Sequence, residues 1–125
     1  MRTMLKSKIH RATVTEANVD YEGSITIDPV LMRAADILPY EQVHILDVDN
    51  GSRLTTYAIE GAPESGEICI NGAAAHLVAK GHRVIILTYH EVEEYAVRET
   101  KPRLVYVDAK NQIVSVGPRD RVAVG

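Results

Sequence analysis

The chain is 125 residues long with a formal net charge of −3, enough for one hydrophobic core and too short for two independent ones. No run reaches the roughly 18–20 consecutive apolar residues of a membrane span, and the amino terminus lacks the apolar stretch of a secretory signal. Cys69 is the only cysteine, which rules out an internal disulfide. A cytoplasmic protein is expected, and its mixed, slightly acidic charge argues against general affinity for nucleic acid, leaving a small molecule as the partner.

The composition includes no Phe or Trp and six Tyr, so the core must be built from aliphatic side chains. From Met4 to Val19 the pattern alternates, with Lys6, Lys8 and His10 on one face and Ser7, Ile9 and Arg11 on the other. Asp28-Pro29 sets an N-cap acid before a proline at the first helical position, which predicts a short helix through Ala35 that Pro39 stops. The stretch from Val43 to Asp49, then Asn50-Gly51, then Ser52 to Ile59 predicts a β-hairpin, because Asn-Gly suits the positive φ angles of a type I′ turn. A second short helix is expected from Asn71-Gly72 through Ala73 and Val78, ending at Gly81. Strands follow at Arg83 to Tyr89, Arg103 to Val107 and Gln112 to Val116, the last two as a closing hairpin. A loose tail is expected from about Gly117. No internal repeat or linker stands out, so residues 1–116 read as one domain. Many short strands with two small helices fit a closed β-barrel, with an open β-sandwich as the alternative.

Taken alone, Tyr21-Glu22-Gly23-Ser24 reads as an ordinary turn, and a second Gly-Ser pair occurs at Gly51-Ser52. Its chemical reading is sharper. A serine hydroxyl held against the preceding carbonyl can attack it, and glycine at the preceding position tolerates the strained approach. The resulting ester can eliminate to dehydroalanine, and hydrolysis then yields a pyruvoyl ketone that forms a Schiff base with an amine and accepts electrons from decarboxylation. The other polar residues have plain readings of their own. Lys6, Lys8 and His10 would make a solvated strand face, Arg53 and Tyr57 cross-strand surface partners, and Asn71-Gly72 a helix cap. Cys69 lies in the apolar run Ile68-Cys69-Ile70 and reads as a small buried hydrophobe. His76, His82 and His90 form no recognisable metal-ligand motif, so no metal is expected. Glu91, Glu93 and Glu94 read as a solvated edge or loop.

Four segments carry a family resemblance: Met4 to Arg11, Tyr21 to Asp28, Arg53 to Ile59 and Asn71 to His76. In order and spacing they resemble the pyruvoyl-dependent aspartate 1-decarboxylase family, over about Arg2 to Tyr89. The resemblance implies a mainly β fold, a double-ψ β-barrel with a few short helices, assembled as a homotetramer. It implies self-cleavage between Gly23 and Ser24 into a β chain of residues 1–23 and an α chain of residues 24–125, with Ser24 becoming the covalent pyruvoyl cofactor. It implies decarboxylation of L-aspartate to β-alanine and carbon dioxide for pantothenate, and hence coenzyme A. Within it Tyr57 is the proton donor, Lys8 and Arg53 hold the two substrate carboxylates, Thr56, Gly72, Ala73 and Ala74 contact substrate, and Asn71 and Thr56 assist cleavage. Two cations at a fixed separation would suit a diacid, since a monoacid leaves one charge unpaired.

Strict strand alternation puts Arg53 and Tyr57 on one face and Thr56 on the other, with about 13 Å between the first two. An irregularity near Thr55 to Tyr57, or contacts from two subunits, is therefore expected. Outside the family, a barrel module that binds a partner, such as a transcription regulator, and the same barrel acting on another amino acid remain the rival readings.

Overall fold

The computed structural model describes residues 1–118. Among these described residues there are nine strands: β1 (Arg2–Thr13), β2 (Glu16–Asn18), β3 (Ser24–Ile27), β4 (Gln42–Asp47), β5 (Arg53–Glu60), β6 (Ile68–Asn71), β7 (Arg83–Val92), β8 (Arg103–Val107) and β9 (Ile113–Gly117). One α-helix, α1 (Pro29–Ala34), and two short 3₁₀ turns, Gly72–His76 and Glu94–Ala96, interrupt them. Their order across the sheet is β2-β6-β3-β5-β4-β7-β1-β8-β9.

The sheet closes because β2 is the continuation of β1 across two residues. Val14 N–H donates to the carbonyl of His82, just before β7, and Thr15 N–H donates to the carbonyl of Ile68 in β6, both at 2.8 Å. The chain thereby leaves β7 and joins β6, at the far end of the strand order. Closure removes the unpaired edges that an open sandwich would leave. Two parallel pairs, β2 with β6 and β3 with β5, flank the antiparallel pair of β3 with β6. Exchanging β1–β2 with β5, β3 with β6 and β4 with β7 reproduces every pairing in this ring. Two interlocked halves related in this way make a double-ψ β-barrel. The halves repeat in topology without any repeat in sequence, since pairing depends on backbone and pattern and tolerates different side chains.

The interior is aliphatic, as the composition requires. Ile9, Ile25, Ile27, Ile45, Ile68, Ile70 and Ile86 are all fully buried, joined by Val14, Val43 and Val84. β-Branched side chains suit the pleated surface, and each buried one contributes about 1.5–3 kcal/mol relative to exposure. A buried polar pair, the hydroxyls of Ser7 and Thr88, is hydrogen-bonded across β1 and β7.

Several local expectations are revised. The hairpin of β4 and β5 forms, but its turn is wider than type I′: the last ladder pair is Leu46 with Arg53, and Asn50 keeps a negative φ while Gly51 is at +77°. Asp47 decides this, because its Oδ1 accepts from the N–H groups of Asp49 and Asn50 and builds a longer loop. Helix α1 has its Asp28 cap, with Oδ1 accepting from Val30 N–H at 2.9 Å, yet ends at Ala34, well before Pro39. The second helix is only a 3₁₀ turn. The long first strand breaks its alternation, with register shifts between Leu5 and Ser7 and between Ile9 and Ala12, where Arg11 has φ +61°. β7 runs on to Val92, so Glu91 lies within a strand and Glu94 opens a 3₁₀ turn. Gly117 belongs to β9; of the expected tail, residues 119–125 lie outside the described residues. Among the described residues, no helix is long and apolar enough to cross a membrane.

Candidate active site

Ser24 is the first residue of β3. Ile25 and Ile27 point into the core, so alternation turns Ser24 and Thr26 to the outer face of the barrel. The antiparallel neighbour β6 places Asn71 opposite Ser24 and Cys69 opposite Thr26. Asn71 Nδ2 donates to Ser24 Oγ at 3.0 Å and to Thr26 Oγ1 at 2.9 Å, while Cys69 Sγ donates to Asn71 Oδ1 at 3.2 Å. Ser24 and Asn71 are 1% and 3% exposed, so these bonds form with little competition from water. Burial first, then the charges of Glu67 and Glu16, push the Cys69 thiol above its ordinary range and keep it a protonated donor.

The next residue explains the Asn71-Gly72 pair. Gly72 has φ +74°, and a Cβ there would lie 2.7 Å from Gly23 Cα and 2.8 Å from Gly23 N. Only glycine lets the two backbones meet so closely. Gly72 is thus the floor on which the Gly23-Ser24 bond is seated. Ala73 is exposed and Ala74 half-buried in the 3₁₀ turn that follows.

Tyr57 is on the next strand. β3 and β5 run parallel with Ile25 beside Ala58, so continuing the register by one residue puts Ser24 beside Tyr57 on the same outer face. The Tyr57 ring is partly exposed, with the Tyr40 ring centred 6.3 Å away. Arg53 shares this face four residues earlier and is exposed. The expected irregularity at Thr55 to Tyr57 is absent: β5 keeps an unbroken register with β4 from Tyr57 opposite Gln42 to Arg53 opposite Leu46. A bulge there would turn Leu54 and Ala58 out of the core they help to fill. Thr56 therefore lies on the opposite face of β5 from Tyr57, half-buried and paired with buried Val43.

Lys8 lies on β1, which does not pair with β3. Its outward row runs through Leu87 and His44 to Thr55, one strand at a time, and β3 lies a further strand beyond. At about 4.8 Å per strand this is nearly 20 Å along the sheet. The route through β2 and β6 crosses fewer strands, but the run from Lys8 to Glu16 along the chain covers about 26 Å.

One cluster escaped the sequence reading. Asp47, Asp49 and His82 bring ligand-type atoms within 4.8 Å of one another, with His82 Nδ1 2.6 Å from Asp47 Oδ2. The carboxylates also accept backbone N–H groups of the hairpin turn and of Arg83, so the cluster fastens that turn to the start of β7. His82 is 35 positions from Asp47, which no local spacing could reveal.

Residues 1–114 match the family model for aspartate decarboxylase, a match that extends past Tyr89, beyond which the resemblance weakens by motif alone. An aspartate 1-decarboxylase of Dehalococcoides mccartyi is 60% identical over 113 residues, covering 90% of this chain and 91% of its own. The aspartate 1-decarboxylase of Rhodopirellula baltica is 55% identical over 117 residues, covering 94% of this chain and 75% of its own. Among solved structures, the rationally designed mkDPBB_sym_86 protein overlaps 67% of this chain and 95% of its own, with a TM-score of 0.44 and 14% identity.

Proposed function

The chain belongs to the aspartate decarboxylase family, and we propose that it converts L-aspartate to β-alanine and carbon dioxide with a pyruvoyl group made from its own Ser24. The observation that carries the self-processing is the seat of the Gly23-Ser24 bond: Gly23 lies against Gly72, and Ser24 Oγ accepts a hydrogen bond from Asn71. Ser24 Oγ attacks the Gly23 carbonyl carbon, the C–N bond breaks, and the hydroxyl proton ends on the released amine. Loss of the Ser24 Cα proton then expels the Gly23 carboxylate as the Cβ–Oγ bond breaks. Water addition and loss of ammonia leave the pyruvoyl group on residue 24. Asn71 serves both early steps, since an N–H donor on Oγ favours deprotonation of the hydroxyl that attacks and stabilises the carboxylate that departs. Thr56, half-buried on the opposite face of β5 from Tyr57, is kept as an aid to cleavage at the Gly23 backbone, and the regular course of β5 counts against its contact with substrate.

Once formed, the pyruvoyl carbonyl supplies the electron sink for decarboxylation. Tyr57 stands beside residue 24 and returns a proton to the carbon that loses carbon dioxide. Gly72, Ala73 and Ala74, small residues of the turn that follows Asn71, contact the substrate next to residue 24. Arg53 offers a planar, bidentate contact to one carboxylate and Lys8 a point charge to the other. The separation of Lys8 from Ser24 supports a site shared between subunits, with Lys8 supplied by a neighbour in a homotetramer. The product β-alanine fits supply of pantothenate.

Intact mass measurement tests the processing. Purified protein should resolve into residues 1–23 and 24–125, the larger piece beginning with a carbonyl in place of an amine. Ser24→Ala should remain whole and inactive. A wild-type chain that stays uncut after prolonged warm incubation, while folded, would overturn the reading.

A further inference from the structure

The amide of Asn71 has two chemically different ends, and only one of them serves Ser24. With Nδ2 toward the serine, a positive hydrogen faces Oγ, which carries negative charge when the hydroxyl is deprotonated for attack and again when it departs as part of the carboxylate. Rotating the amide by half a turn would set Oδ1 lone pairs against that charge and reverse the effect. The contacts to Ser24 and Thr26 cannot choose between these ends, because a hydroxyl donates or accepts equally well. Some third group must break the tie.

We infer that Cys69 is a positioning residue whose thiol hydrogen fixes the orientation of the Asn71 amide, and so sets the rate of backbone cleavage. Its Sγ lies 3.2 Å from Asn71 Oδ1 and donates to it. Cys69 and Asn71 are alternate residues of β6, so their side chains share a face, and the pairing of Cys69 with Thr26 seats the thiol behind the amide instead of beside Ser24. Cys69 is 7% exposed, so solvent cannot readily substitute for the missing donor. The surrounding charges act in the same direction: Glu16 on β2 and Glu67 just before β6 disfavour the thiolate, while β3 brings only the uncharged Thr26. A thiolate would be an acceptor and would draw Nδ2 away from Ser24. The thiol is neither nucleophile nor acid here; it acts only through Asn71.

This inference rests on the self-processing reading, and the rate of cleavage separates the two. Uncut wild-type, Cys69→Val and Cys69→Ser chains are incubated side by side, and loss of the 1–125 mass is followed with thermal unfolding as a control. Val keeps the size and strand preference of cysteine but has no hydrogen to give, and cleavage should slow by roughly threefold to tenfold, the effect of one modest hydrogen bond. Ser can donate to Oδ1, unlike Val, but its oxygen also accepts, so it should recover part of the lost rate. If wild type cleaves and folded Cys69→Val cleaves equally fast, or Cys69→Ser is as slow as Cys69→Val, the positioning role is wrong. If wild type itself does not cleave, the self-processing reading fails instead. Should Cys69→Val not fold, Cys69→Ala makes the same comparison against Cys69→Ser.

Discussion

Two patches on the outside of the barrel are built from similar strands and hold very different kinds of site. Around β3 and β6, Ser24, Asn71, Cys69 and Thr26 form a closed set of hydrogen bonds, backed by a glycine contact that admits no side chain. Across β5, β4, β7 and β1, Arg53, Tyr57 and Lys8 are spread along an outer face, with Arg53 and Tyr57 exposed. On the proposed function, the first patch holds within one chain groups that backbone cleavage would use, while the second spreads its charged and phenolic groups over several strands. A cut would precede use of the cofactor, and an intramolecular reaction is best prepared by a chain that has already folded. Substrate binding would have no such constraint and could wait for assembly.

The largest expected effect breaks this comparison at its weak point. A Lys8→Ala protein and a Ser24→Ala protein, each inactive alone, should regain aspartate decarboxylation when unfolded together and reassembled. Some interfaces would then join an intact Lys8 to an intact pyruvoyl group. Mixed assemblies verified by mass that show no turnover would place both residues in the same subunit's site and contradict the separation argued from strand spacing. Tyr57→Phe comes next. Turnover should fall by about 10²- to 10⁴-fold, as for loss of a general acid, while the fragments 1–23 and 24–125 appear at the wild-type rate. An equal loss of cleavage would move Tyr57 into the first patch. The smallest effect sharpens the first patch itself. Gly72→Ala forces a left-handed φ on alanine and drives its Cβ into Gly23, which should destabilise the fold by about 1–3 kcal/mol and slow cleavage. A variant that melts and cleaves like wild type would show that the close contact relaxes freely.

Most of the elements were legible in the sequence, because they depend on short-range rules. Asp28-Pro29 starts a helix wherever an N-cap acid precedes a proline, and alternation from Val43 to Ile59 makes a hairpin whatever the turn. The misses share a cause. The wide turn after Asp47 depends on that one carboxylate accepting two backbone N–H groups, a competition that propensity alone cannot rank. The regular course of β5 through Thr56 follows from ladders on both sides. The identity of the candidate residues likewise came from four ordered motifs, whereas Cys69 looked inert because its neighbours in the chain are apolar.

The sequence by itself determined the β-rich pattern, the aliphatic core and the family, since all of these lie in residue types and their spacing. Only the tertiary structure decided that β2 closes the barrel against β6, that Gly72 lies under Gly23, that the Cys69 thiol faces the back of the Asn71 amide, and that Lys8 and Ser24 lie on strands that do not pair. These are relations between strands distant in the chain. Their register is set by burying one face of every strand at once, a condition that no single segment can satisfy or reveal.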